Sequence, residues 1–274
     1  MDLHDLDAIC EIWLLPLPEE KQVMNGPVNV RQILGVRFLV EDAQSAVDVV
    51  TDHGGLVVVP SGPGLSSLSR DERYRRALLG ADFAIADSSL MVMLWNFIKG
   101  DHIQKLSGLK YMKKLIEQPH FKEPGVCFWV MPSLGSSQRN RRWLSKRGIE
   151  LADDDIYVAP IYGTEFNDPE LICRIEQRHP RHIILGVGSG TQEPLGYYLK
   201  GKLSYCPTIH CIGAAIAFLS GDQVKIPAVI DRLGLGWFWR CLSNPRRYVP
   251  RYWDAKGLIL LMFRYRDQMP PANQ

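Results

Sequence analysis

The tail of the chain has no apolar run able to cross a bilayer; its longest uninterrupted one is Leu258 to Phe263, where a spanning helix needs about 20 residues. The opening Met-Asp-Leu-His-Asp is acidic where an export signal is basic, so no export is expected. Disulfide and zinc frameworks are also missing. The six cysteines (10, 127, 173, 206, 211 and 241) are scattered, and Cys127 sits inside an apolar run, which reads as reduced core thiols of a cytosolic protein. Cys206, His210 and Cys211 have no second ligand pair at zinc-site spacing, so no metal is expected. A net charge of only +2 and the lack of a reading-helix motif argue against nucleic acid.

What is present fits a soluble α/β protein. At 274 residues, with 46% hydrophobic and 23% charged residues, the chain can bury a substantial core. Residues 1–30, broken by Pro16, Pro18 and Pro27, read as an N-terminal extension. From residue 31 to 225 short apolar runs alternate with helical patterns. Strands are expected at 33–40, 56–59, 83–86, 126–131, 156–159, 183–185 and 208–212. Helices are expected at 43–50, 65–79, 90–98, from 107 onward, at 138–146, after 167–170 and up to Lys200. The Pro60–Gly64 segment reads as a loop. Six or seven strands alternating with helices predict a mostly parallel, Rossmann-like sheet covered on both faces.

The stretch Arg181–Glu193 (RHIILGVGSGTQE) organises that reading. A continuous apolar run suits a parallel strand buried on both faces. Gly186, Gly188 and Gly190 then let the backbone turn tightly against a ligand, Thr191 is placed to cap a helix, and Gln192 and Glu193 fill its first turn. Position 191 is Thr, so this is not the Gly-x-Gly-x-x-Gly dinucleotide fingerprint. Gln192 and Glu193 suit either ligand hydroxyls or the helix dipole. Asp87, at the end of FAIA, suits a general base at the crevice edge or an N-cap for the helix near Leu90. Ser61 lies at another strand end, as a crevice residue or part of a plain turn.

The tail from 226 to 274 differs in kind. Eight Arg/Lys against three Asp give it +5, which leaves −3 for the rest. Its arginines are interleaved with Trp237, Trp239, Tyr248, Tyr252 and Trp253. That mixture suits an anionic membrane surface, a diphosphate held by guanidinium, nucleic acid, or simply a solvated basic helix.

Several segments in order resemble the WecG/TagA/CpsF glycosyltransferases, glycosyltransferase family 26. They are ILGVRF (33–38), RDERYRRALLGADFAIADS (70–88), GVGSGTQE (186–193) and RLGLGWFWRCLSNPRRYVPRY (232–252). The resemblance implies an inverting enzyme that moves a sugar from a nucleotide diphosphate-sugar to a polyprenyl-diphosphate-linked acceptor in polysaccharide synthesis. It implies no obligatory metal or other cofactor. It also implies a cytoplasmic enzyme, peripheral on the inner face of the plasma membrane, with a membrane-associating appendage at 226–274. By the same resemblance Asp87 is the base, and Gly186, Gly188, Gly190, Gln192, Glu193 and Ser61 bind the donor nucleotide. Arg240, Arg246, Arg247 and Arg251 meet diphosphate or membrane. Where the family has Asn, Gly and two acids, this chain has Ser61, Ser88, Lys110 and Ala217. Those departures leave open which sugar moves, and leave a non-catalytic nucleotide-sugar-binding regulator as the alternative. Oligomeric state is not legible.

Overall fold

The computed structural model describes residues 28–163, 165–212, 214–221, 236–243, 245–246, 250, 253 and 255–272. The expected extension at 1–27 therefore lies outside the described residues. Within them the chain forms β1 (Val30–Ile33), β2 (Val36–Leu39), α1 (Ala43–His53), β3 (Gly55–Val58), α2 (Gly62–Ser66), α3 (Glu72–Leu79) and β4 (Phe83–Ile85). Next come α4 (Ser89–Lys99), α5 (Gly108–Glu117), β5 (Cys127–Met131), α6 (Leu134–Ser145), β6 (Ile156–Val158), α7 (Pro169–Arg178) and β7 (His182–Leu185). The rest are α8 (Gln192–Lys202), β8 (Thr208–Cys211), α9 (Ala214–Ser220), α10 (Gly236–Ser243) and α11 (Lys256–Tyr265).

The strands join one eight-stranded sheet in the order β1-β2-β4-β3-β8-β7-β5-β6. Only β1 runs antiparallel to its neighbour; every other pairing is parallel. Alternate residues feed two separate cores, as strands buried on both faces must. Ile183 and Leu185 join Val58, Ala84, Val130 and Leu258 on one face. Ile184 joins Val57, Phe83, Trp129 and Met112 on the other. The parallel α/β expectation holds.

Local boundaries differ where a polar side chain or a turn intervenes. The run at 33–40 is the end of one strand and all of the next, folded back at Leu34–Gly35, with φ of 51° and 77°. Positive φ at both positions is the two-residue hairpin turn whose twist matches its strands. The N–H groups of that turn donate to the carbonyls of Arg266 and Asp267, at 2.8 and 2.9 Å. A Cβ on Gly35 would stand 2.8 Å from that of Met269, so this contact requires glycine. The single helix expected at 65–79 is two helices, because the Asp71 carboxylate accepts the Tyr74 N–H at 2.9 Å and starts α3 afresh. The Pro60–Gly64 loop already contains the start of α2, capped by Ser61 with Pro63 in its first turn. Ser133 starts α6 four residues before the expected helix.

The last described stretch is packed into the body. Leu258 and Met262 of α11 are fully buried. The segment after the helix is clipped to the β1–β2 turn, and the guanidinium of Arg75 donates to the carbonyl of Pro270.

Two buried imidazoles make the fold acid-sensitive. Burial and the neighbouring His120 and Arg181 push His182 down to about 3 from the usual 6.5. Burial holds His210 well below its ordinary value. An unfolded chain takes up these protons below pH 6.5 while the folded one refuses them, so their contribution to stability falls with pH in that range. Wild type's advantage over His182→Gln should shrink by up to about 1.4 kcal/mol per pH unit below 6.5, read from urea midpoints. A pH-independent gap would refute it.

Candidate functional site at the carboxyl edge of the sheet

Because β2 to β8 run parallel, the loops that follow β3, β4, β5 and β7 leave the sheet at one edge. They carry Ser61, Asp87, Ser133 and Gly186–Gly190. Open parallel sheets bind ligands at this edge.

Asp87 is half-buried just beyond β4. It is not the N-cap of α4; that cap is Ser88, whose Oγ accepts the Met91 N–H at 3.3 Å. The Asp87 carboxylate instead accepts the N–H of Gly108, the first residue of α5, at 3.3 Å. The N-terminal ends of α4 and α5 both face this region, and helix N-termini favour negative charge. Ser61 caps α2, accepting the Gly64 N–H at 3.3 Å. The two loops touch: a Cβ on Gly62 would lie 3.1 Å from the Ser88 Oγ.

The glycine turn emerges from β7, and β3 and β8 separate that strand from β4. Gly188 and Gly190 have φ of 95° and 90°, and a Cβ on either would meet nothing. Their outer side is open, so it is the backbone conformation that selects glycine here. Thr191 makes no side-chain cap. Glu193 reaches back instead, accepting the Gly190 N–H at 2.7 Å, and Gln192 donates to it at 3.2 Å. Gln192 also donates to the Cys211 carbonyl at 2.9 Å, and the Cys211 thiol donates to the Gln192 carbonyl at 3.2 Å. Both side chains are thus turned into the protein. Burial pushes the Glu193 carboxyl up to about 7, against the hydrogen bonds from Gly190, Gln192 and Ser189 that stabilise its charge.

Arg246 is exposed; the side chain of Arg240, and all of Arg247 and Arg251, lie outside the described residues. Cys206 is exposed and Cys211 buried, while His210 bonds to Tyr111 and His182, so these three do not converge. Among the described residues no cluster of three His, Cys, Asp or Glu is arranged to hold a metal.

The sequence reading passed over three features. The Gly108 N–H is a backbone feature that no side-chain pattern announces, while the α6 start is capped by the Ser133 hydroxyl, a serine signal available in the sequence. Asp168, read only as a helix start, accepts the hydroxyls of Tyr157 and Tyr162 at 3.0 and 2.7 Å and fixes the loop after β6. The spacing of its two tyrosines was the available signal. A cavity of about 450 Å³ lies at the far end of α4, lined by Arg31, Trp95, Lys99 and Asp267 among others. Its charges pair with each other (Arg31 with Asp101, Lys99 with Asp267), so it offers a ligand little.

The sequence model of the WecG/TagA/CpsF glycosyl transferase family matches residues 31–271. The chain belongs to that family. This glycosyltransferase is also similar to the N-acetylglucosaminyldiphosphoundecaprenol N-acetyl-beta-D-mannosaminyltransferase of Bacillus spizizenii. The two are 24% identical over 213 residues, 73% of this chain and 78% of the relative.

The Glu193 lock gives a direct test. Glu193→Gln keeps an oxygen for the Gly190 N–H but turns an NH2 toward the Gln192 amide whose N–H the carboxylate accepts, and should lower the urea midpoint less than Glu193→Ala. Glu193→Ala leaves that N–H unpartnered and should cost about 1–3 kcal/mol. Equal midpoints for the two variants would mean that the lock holds nothing.

Proposed function

We propose that this glycosyltransferase moves a sugar, with inversion, from a nucleoside diphosphate-sugar to a saccharide carried on a polyprenyl diphosphate, with Asp87 as general base. The relative's name supplies the nearest chemistry, an N-acetylmannosaminyl group passed to an N-acetylglucosaminyl diphospholipid. The observation behind the reading is that the Asp87 carboxylate and the glycine turn sit at one sheet edge, three strand spacings apart. That is roughly 14 Å at ~4.8 Å per strand, a span an extended nucleoside diphosphate-sugar bridges.

In this reading the acceptor hydroxyl gives its proton to Asp87 as its oxygen attacks the anomeric carbon from the face opposite the leaving group. The bond from that carbon to the diphosphate breaks, and the electron pair leaves with the diphosphate. Backbone N–H groups of residues 187–189, between the bonds that Gly186 makes to the Val130 carbonyl and Gly190 to Glu193, receive that charge ahead of α8. Arg240, Arg246, Arg247 and Arg251 supply the positive charge a metal often supplies, so no cofactor is needed. Gln192 and Glu193 serve by shaping the turn from behind. Ser61 keeps a capping role that Asn would also fill, so that departure leaves the loop's backbone intact.

The lipid-linked acceptor calls for a membrane-facing surface. No helix among the described residues is long and apolar enough to cross a membrane. One exposed face is nonetheless strongly apolar. Phe97 is 78% exposed and Leu260 68%, alongside Met93, Ile259 and Phe263. The Phe97 and Phe263 rings meet edge to face at 6.5 Å, which joins α4 to α11. Lys256 stands over the exposed Trp253 ring at 3.4 Å, and Arg264 and Arg266 follow. Apolar side chains rimmed by cations suit an anionic lipid surface.

Asp87→Asn should lower transfer at least about 10²-fold and leave donor binding intact. The assay is a panel of nucleoside diphosphate-sugars, led by N-acetylmannosamine, with an N-acetylglucosaminyl diphospholipid acceptor. Undiminished turnover would remove Asp87 as base, and donor binding without turnover across the panel would favour the regulatory alternative. The double change Phe97→Ser with Leu260→Ser should abolish sedimentation with phosphatidylglycerol vesicles. Truncation at 226 is a poorer test, because it strips Leu258 and Met262 from the core. Undiminished vesicle binding would exclude this face.

A further inference from the structure

The Asp87 carboxylate is held from a helix that is itself tied to the sheet by a chain of buried rings. Gly108, which donates to Asp87, opens α5; one turn on, Tyr111 is fully buried. The Tyr111 hydroxyl lies 3.1 Å from Nδ1 of His210 on β8. Nε2 of His210 lies 3.1 Å from Nδ1 of His182 on β7. His120, from the short turn after α5, stacks on His182 with ring centroids 5.4 Å apart. Cys127 stands opposite His182 in the sheet register, and Arg181 precedes it in the chain. A neutral imidazole donates through one nitrogen and accepts through the other, so both links are hydrogen bonds for either tautomer of His210 when His182 holds the matching one. Burial keeps both rings neutral at neutral pH.

Beyond the Leu106 N–H, which donates to the Ala86 carbonyl at 3.1 Å just ahead of α5, the helix is gripped by apolar contacts of Met112, Leu115 and Ile116. Apolar contacts are individually weak and non-directional, so they set a helix's position less sharply than a hydrogen bond does. A hydrogen bond weakens steeply with distance and angle, and so fixes what apolar packing leaves soft. At the other end of the first turn there is no slack: a Cβ on Gly108 would sit 3.2 Å from Val59 Cγ1.

We propose that Tyr111 is a positioning residue for sugar transfer: through α5 it sets the Gly108 N–H against the Asp87 carboxylate, with His210 and His182 as its anchor. This rests on Asp87 being the base. Moving the Gly108 N–H away removes a donor that favours the carboxylate form, so the base holds its proton more tightly and is less well aimed.

The test is Tyr111→Phe in the full-length protein, assayed across pH with the donor panel and acceptor above. The expected result is a kcat lowered roughly fivefold to thirtyfold, a donor KM within about twofold, and an acid limb of the kcat profile moved up by about half a pH unit or more. Unchanged kcat and acid limb, even with a lower melting temperature, would reduce Tyr111 to a packing role and overturn the proposal. Should Tyr111→Phe not fold, His182→Gln loosens the anchor one ring further out and is judged by the same acid limb. Asp87→Asn separates the two ideas. Turnover surviving there removes base and positioning together; turnover lost there with a normal acid limb in Tyr111→Phe removes positioning alone.

Discussion

The parallel backbone ladder is the constraint on which the rest depends. From β2 to β6 each strand pairs with its neighbour in the same direction, so every strand delivers its carboxyl end to one edge. Crossover helices are the way back for the chain, and they carry their N-termini to that same edge. Residues distant in sequence, at 61, 87, 133 and 186–190, share one edge because hydrogen bonds between strands, not attraction between those side chains, bring them there. Reversing one central strand would scatter them.

A second consequence is electrostatic. The helices α2, α4, α5 and α6 open with serine caps, and α8 opens on the glycine turn. Oriented N–H groups therefore crowd the edge that takes the diphosphate leaving group in the proposed reaction. The buried acid among them, Glu193, is held within the turn it shapes by the Gly190 N–H, and burial pushes its carboxyl up to about 7. Asp87, tethered by Gly108 and half-buried, is the carboxylate left facing reactants in this scheme.

The closing helix joins the body to the exposed apolar face. Its inner residues Leu258 and Met262 sit in the core beside α2 and α4, and its outer residues Leu260 and Phe263 line the apolar face. One helix thus touches α2, which Ser61 caps, and α4, which follows Asp87, on one side and presents apolar side chains to solvent on the other. The backbone bonds from the β1–β2 turn hold its end in place.

The alternation of apolar runs and helical periods was enough to read a parallel α/β body, and the four motif segments were enough to read the family. Strand existence was legible because burial on both faces leaves a continuous apolar run such as Ile183–Leu185. Boundaries were not. They turned on single caps at Asp71 and Ser133, and on a Leu34–Gly35 turn stabilised by carbonyls more than 230 positions away. The sequence by itself determined composition, period and motif order, since these follow from local preference and from which residues must leave water. Only the tertiary structure decided that Ser88 rather than Asp87 caps α4, that Glu193 faces inward, and that Tyr111 reaches His210. Each of those depends on which groups from distant strands compete for the same hydrogen bond, and no local pattern encodes that competition.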